Sequence, residues 1–319
     1  MRHLKFWLGV LALICSGALQ AQSFPVKPVR IIVPFANGSG ADTNTRFFGN
    51  LVSKALGQSV VVENRPGGSG VVAVMAVKNS PADGYTLLTG TNSPLTVNPV
   101  VMKDLPYDPV KEFRPIVLFG LIPVAFVVNG SSPHRTVADL VAAVKASKST
   151  LQIGTYSAGY ELASAWFGMV TGVPITTVPY KGGAAVMTDI MGNQLPSGAI
   201  AADGVVPYVK DGRLRVLATS AEIRLPALSN VPTMKESGFP DFAMYTWSGI
   251  FARSETPDAI VTKLYETFAS AIASPEGQSF LASAPIVGIN KNPKELEAFV
   301  VAEHDRFRHI ARTAGIKPQ

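Results

Sequence analysis

The sequence predicts an α/β protein with largely parallel sheets, and three observations carry that prediction. Short β-branched runs such as Val29–Val33 alternate with longer stretches whose apolar residues recur at helical spacing. Several of these runs end in a glycine-rich or small polar loop that opens a helix. Two long apolar stretches, 116–128 and 242–252, interrupt the alternation and read as links between two halves.

In order along the chain, Val29–Val33 is a buried strand, followed by the loop Pro34-Phe35-Ala36-Asn37-Gly38-Ser39-Gly40. A helix follows with Asp42 as its N-cap; Phe47, Phe48, Leu51, Val52, Ala55 and Leu56 form its apolar face, and Gly57 stops it. Val60–Glu63 is the next strand, and the turn from Asn64 to Gly70 opens a second helix. Thr86–Leu88 is a third strand, running into Gly90-Thr91-Asn92-Ser93. The middle of the chain repeats the plan. Val137–Val144 is helical, and Leu151–Ile153 is a strand that leads through Gly154–Gly159 into a helix bearing Leu162, Trp166, Phe167 and Val170. Ile175–Val178 is a strand ending in Pro179-Tyr180-Lys181-Gly182-Gly183. Val33-Pro34-Phe35 and Val178-Pro179-Tyr180 form a short echo between the halves. Leu264, Phe268 and Ile272, then Leu296, Phe299, Val300 and Phe307, mark C-terminal helices.

The N-terminus has the layout of a secretory signal: Arg2 and Lys5, an apolar run from Phe6 to Cys15, then small residues to Ala21. The run is about half of the roughly 20 residues a membrane span needs, so 1–21 is expected to be removed on export. Ile14 before Cys15 argues against a lipid anchor. Cys15 is the only cysteine, which excludes a thiol nucleophile or a cysteine metal site from the exported chain. Loss of Arg2 and Lys5 lowers the formal charge from +6 to +4, an excess that suits anion capture and gives no case for nucleic acid.

Where a strand feeds a helix through such a loop, the first amides of the helix are unpaired and its dipole is positive, so an anion is held without a basic side chain. In open α/β sheets these junctions face one crevice. The loops around Asn37, Gly38, Ser39 and Gly40 and around Gly182 and Gly183 combine flexible backbone with polar side chains. Phe35, Tyr156, Tyr160, Tyr180 and Trp247 offer apolar walls. Asp203, read as a helix N-cap, also offers an acceptor for a ligand hydroxyl, amine or protonated acid; Lys181 is either a carboxylate partner or a solvated lysine. Catalytic patterns are missing: no HExxH, no clustered metal ligands, no Walker loop and no complete G-x-S-x-G. No metal or cofactor is expected.

Val33-Pro34-Phe35 with its glycine loop and Asp42, then Val62–Gly70, then Asp83-Gly84-Tyr85-Thr86-Leu87, are followed by Val178–Gly183, Val231–Gly238 and Trp247-Ser248-Gly249. This ordered series resembles the substrate-binding proteins of tripartite tricarboxylate transporters, the Bug family of periplasmic receptors. The resemblance implies a type II periplasmic-binding-protein fold, with two lobes on a hinge of two crossing strands: lobe 1 from 24–124 and 247–319, lobe 2 from 125–246. It implies that a carboxylate is held, partly through waters, by residues Phe35 to Gly40, Asn92, Ser93, Tyr156, Ser157, Gly182, Gly183 and Asp203. It also implies a non-enzymatic, monomeric receptor that delivers its ligand to membrane transporter subunits. A mono- or dicarboxylate is expected, with aromatic acids such as terephthalate ahead of citrate-type acids. The rival readings are a sensory subunit for a membrane receptor and a secreted hydrolase. Two departures stand out. Asn37-Gly38-Ser39 replaces a Pro-Gly-Gly-like loop, and Glu161 stands where relatives carry histidine, so it must be turned away, protonated or paired, for example with Lys181.

Overall fold

The computed structural model describes residues 24–284, 286–288, 291–313, 315–316 and 318; the expected leader and Cys15 lie outside them. The chain runs β1 (Val29–Val33), α1 (Gly40–Leu56), β2 (Val60–Asn64), α2 (Val71–Lys78), β3 (Thr86–Thr91), α3 (Asn98–Val101), α4 (Pro109–Glu112) and β4 (Phe113–Asn129). It continues through α5 (Val137–Ser147), β5 (Leu151–Thr155), α6 (Ala158–Thr171), β6 (Ile175–Pro179), α7 (Gly183–Met191), β7 (Ser197–Ala201), α8 (Ala202–Lys210) and β8 (Leu214–Thr219). The closing elements are β9 (Tyr245–Arg253), α9 (Asp258–Ala273), α10 (Pro275–Ser283) and α11 (Pro293–Thr313).

The strands follow the order β2-β1-β3-β9-β4-β7-β5-β6, with β8 also on β4. β1 is parallel to β2 and β3, and β5 is parallel to β6 and β7, so each lobe carries its own parallel sheet. The crossing strands β4 and β9 are antiparallel to each other and join the two sheets. β4 pairs with β9 as far as Pro123↔Tyr245 and with β7 from Val124↔Ala201 onward. Proline has no N–H for a ladder, so the change of partner falls where a donor is missing in any case. Further back, β4 shifts register between Pro115 and Val117 and again between Leu118 and Gly120, whose φ of +150° and crowding against Ile286 leave room for glycine alone.

The apolar spacing of α1 does its expected work: Phe48 is fully buried and stacks on Phe119 of β4 with ring centroids 4.9 Å apart. Burying such a side chain is worth about 1.5–3 kcal/mol. α11 straddles the lobes, with Leu296 and Val300 packed near Ile32 and Trp247, and Phe307 and Ile310 packed into the core of the second sheet.

Several expectations need correction. The N-cap of α1 is Ser39, whose Oγ accepts the Asp42 N–H at 3.3 Å; Asp42 lies inside the first turn. Asp203 is likewise the second residue of α8, which starts after Ala201. β3 runs on through Gly90 to Thr91 because glycine lets the Phe251 ring of β9 lie against it. β7, with the sequence Ser-Gly-Ala-Ile-Ala, lacks the β-branched run that marks a strand and is recognisable only from its fully buried pairing.

Candidate functional site: a donor-lined cleft between the lobes

The carboxyl ends of β1, β3, β5 and β7 converge on one cleft, floored by the first residues of β9. The first wall is set by Asp42. Its Oδ2 accepts the Gly38 N–H at 2.9 Å, and its Oδ1 accepts Arg46 Nε at 2.9 Å and Asn64 Nδ2 at 2.8 Å. Asn64 also donates to the Phe35 carbonyl at 2.9 Å, which fixes the Phe35 ring. From the other lobe Tyr156 meets that ring edge-on at 5.5 Å and donates its hydroxyl to Tyr160 at 2.7 Å. Burial pushes both tyrosine hydroxyls far above their ordinary range, so they remain neutral.

Between these walls lies a cavity of about 20 Å³, room for roughly one water molecule as the lobes stand. Phe35, Gly40, Asn92, Tyr156, Tyr160 and Trp247 of the expected site border it, together with Thr91, Thr246 and Ser248. Among the described residues, the buried Thr91 Oγ1, Asn92 Nδ2, Trp247 Nε1 and Ser248 Oγ have no hydrogen-bond partner. Among the described residues, no lysine, arginine or histidine borders the cavity. A buried polar atom left unpaired costs about 1–3 kcal/mol, so this cluster calls for a polar occupant, water in the free protein or ligand oxygens in the loaded one.

Asp203 closes the side next to Gly40, so near that a Cβ on Gly40 would collide with its carboxylate. The residue is partly exposed, but Oδ1 is shut off from solvent and unpartnered among the described residues. Burial pushes this carboxyl up to about 6, against the pull of the N–H groups of Gly204 and Asp203 itself and of nearby Asn44. The Asn44 amide faces the carboxyl without completing a hydrogen bond of good geometry.

The remaining expected residues play other parts. Asn37 is exposed and borders none of these spaces, and Gly38 borders the outer space beside Asp203 and Lys210. Ser39 is spent on capping α1. Ser93 and Ser157 bond to each other across the cleft at 2.8 Å. Gly182 packs on Ala36, where a Cβ would lie 3.1 Å from the alanine methyl, and Gly183 packs on the Tyr156 ring. Lys181 and Glu161 both border the outer mouth, a space of about 550 Å³, but they are not paired with each other; Glu161 is half-buried and its carboxyl is pushed up by burial. The sequence reading missed Thr91, Thr246 and Ser248. The available signal was hydroxyls at 246 and 248 inside a strand that is buried from Tyr245 to Ala252.

Two lobes on crossing strands around a cleft lined by unpaired polar groups define a solute-binding receptor. Comparison with known proteins narrows the class. The profile of the Tripartite tricarboxylate transporter family receptor matches residues 45–316. A UPF0065 protein of Bordetella bronchiseptica is 31% identical over 97% of this chain and 92% of its own length. Protein BugT of Bordetella pertussis is 30% identical over 95% and 94%. Among solved structures, an R. palustris protein with adipate is 32% identical with a TM-score of 0.89, covering 93% of this chain and 100% of that one. MatC from Rhodopseudomonas palustris with bound malate is 26% identical with a TM-score of 0.85, covering 90% and 99%. The periplasmic binding protein BugD is 27% identical with a TM-score of 0.88 over 93% and 100%. The chain belongs to the tripartite tricarboxylate transporter receptor family.

Proposed function

We propose that this chain is exported to the periplasm, captures a small carboxylate between its lobes without chemical change, and delivers it as a monomer to the membrane subunits of a tripartite tricarboxylate-type transporter. The observation that carries this reading is the set of four unpartnered buried groups, Thr91, Asn92, Trp247 and Ser248, at an inner cavity that no cation among the described residues borders. All four can donate to carboxylate oxygens, and neutral donors spare the site the desolvation of a buried lysine or arginine. The lobes divide at 124/125 and 246/247, so closure turns on β4 and β9. The names of two relatives, one with adipate and one with malate, support the carboxylate class.

Asp203 narrows the ligand further. A buried acceptor that forms no ion pair among the described residues repels a second ionised carboxylate, so the far end of the ligand carries a donor: a hydroxyl, an amide, an ammonium or a carboxyl taken up with its proton. Small aliphatic acids of this kind displace aromatic acids as first choice, because the aromatic faces are already engaged with one another: Phe35 with Tyr156, Tyr156 with Tyr160, and Trp247 with Phe251. Hydrolysis has little support, since none of His134, His304 and His309 borders the cleft spaces.

A thermal-shift screen tests the reading with adipate, malate, citrate and terephthalate against adipamide and glucose. A ligand at 100 times its dissociation constant adds about 2.7 kcal/mol to stability, an easily measured rise. One or more acids should raise the transition while their amides leave it unchanged. A rise with a neutral solute alone would sink the carboxylate reading.

A further inference from the structure

We infer that Ser69 and Ser93 are positioning residues that latch the lobes shut by capping the N-terminus of α6 from across the cleft. The first amides of a helix have no partner within it and are ordinarily satisfied by the N-cap side chain or by water. Ser157 holds the N-cap position of α6 in extended backbone, at φ −165° and ψ 163°, yet its side chain makes no capping bond. The Ala158 N–H instead donates to Ser69 Oγ at 3.2 Å, and the Gly159 N–H donates to Ser93 Oγ at 3.1 Å. Ser93 Oγ donates in turn to Ser157 Oγ at 2.8 Å, so the idle cap joins the same bridge. Both capping serines come from the opposite sheet: Ser69 from the turn between β2 and α2, Ser93 from just beyond β3.

The surrounding backbone is shaped for this contact. Ser69 sits at φ +50° between Gly68 at +53° and Gly70 at +96°, a left-handed turn that a serine rarely adopts. A Cβ at Gly159 would lie 2.5 Å from Asn92 Nδ2 and 3.0 Å from Ser93 Oγ, so a larger residue there would push both side chains aside. Opening the lobes hands these two amides back to water; closing them restores the cap. The closed form therefore has hydrogen bonds of its own that do not pass through the ligand. At the usual net worth of an intramolecular hydrogen bond, each hydroxyl should shift the balance between closed and open forms by about two- to tenfold.

The experiment needs no ligand, so it stands or falls apart from the carboxylate reading. Amide hydrogen exchange is followed at Ala158 and Gly159 in the ligand-free exported chain, for wild type and for Ser69→Ala, Ser93→Ala and the double variant. These amides have no partner inside α6, so their protection reports the cross-lobe bonds and the closure those bonds hold. The expected result is protection in wild type that falls about tenfold or more in the double variant, with the β4 amides from Val124 to Val128 unchanged. Unprotected amides in wild type, or protection that survives both substitutions, overturns the latch. Gly159→Ala is the second variant: it keeps both hydroxyls but places a methyl where Asn92 and Ser93 sit, and it must also lose the protection. Retention of protection in that variant counts equally against the proposal.

Discussion

Two buried polar regions meet at the start of α1 and are built on opposite terms. Around Asp42, every donor and acceptor that matters is paired: the carboxylate takes Gly38, Arg46 and Asn64, and Asn64 ties back to Phe35. Deeper in the cleft, Thr91, Asn92, Trp247 and Ser248 each keep a polar atom with no partner among the described residues. The paired region gains stability from its bonds and holds the Phe35 loop in place. The unpaired region lowers stability, and a fold tolerates it where an occupant supplies the missing partners. Saturation, rather than burial or polarity, separates the scaffold from the site.

The largest effect should come from breaking the saturated side. Asp42→Ala strips Gly38, Arg46 and Asn64 of their shared acceptor and should lower stability by about 3 kcal/mol in denaturant unfolding, somewhat less than a fully buried pair because Arg46 reaches water. A neutral result would erase the contrast between the regions.

Asp203 lies on the unsaturated side and should respond in the opposite direction. Folding raises its pKa from 3.8 to about 6, so the native state favours the protonated form. The stability this lends is whole below pH 3.8 and is lost as pH rises through about 6. Asp203→Asn imitates the protonated form, so it should raise stability at pH 7 by about 1–3 kcal/mol and leave it nearly unchanged at about pH 3.5. Thermal unfolding at the two pH values checks this, and destabilisation at pH 7 would show that the carboxylate is paired after all.

Smaller again, Asn92→Ala and Ser248→Ala should each weaken the best carboxylate of the screen about tenfold, near 1.4 kcal/mol, while changing the stability of the free protein by under about 1 kcal/mol. Calorimetric titration beside unfolding separates the two quantities; equal losses in both would make these residues scaffold. The smallest change is expected at Lys181, which is exposed at the mouth. Lys181→Met should leave affinity within about twofold, and a large loss would mean that a cation does contribute.

Much of this contrast was legible before the structure. The alternation of strands and helices, the glycine loops and the crossing strands follow from patterning, because strand runs and helix faces are local. The loops that border the cleft are visible in the sequence too, but the role of their glycines is not. Gly40, Gly159 and Gly182 are needed where the opposite lobe approaches, against Asp203, Asn92 and Ala36, and closeness across the cleft has no trace in local sequence. Asp42 reads as a cap because its type suits one; its partners in the structure include Asn64, which is brought to it only by the pairing of β1 with β2. Thr91 and Ser248 escaped notice because β3 and β9 place them opposite each other, a register that no single segment reveals.

The most direct test of the central claim is the indole resonance of Trp247. The chain has three tryptophans, and Trp7 falls in the expected leader, which leaves Trp166 and Trp247; Trp166→Phe assigns them. In a nitrogen–proton correlation spectrum, titration with the best carboxylate of the screen should move the Trp247 indole N–H strongly downfield as it gains an acceptor. The matching amide should move it little, and Trp166 should stay in place. If that acid binds by calorimetry while the Trp247 indole shifts no more than that of Trp166, the unpaired donors are not the carboxylate site.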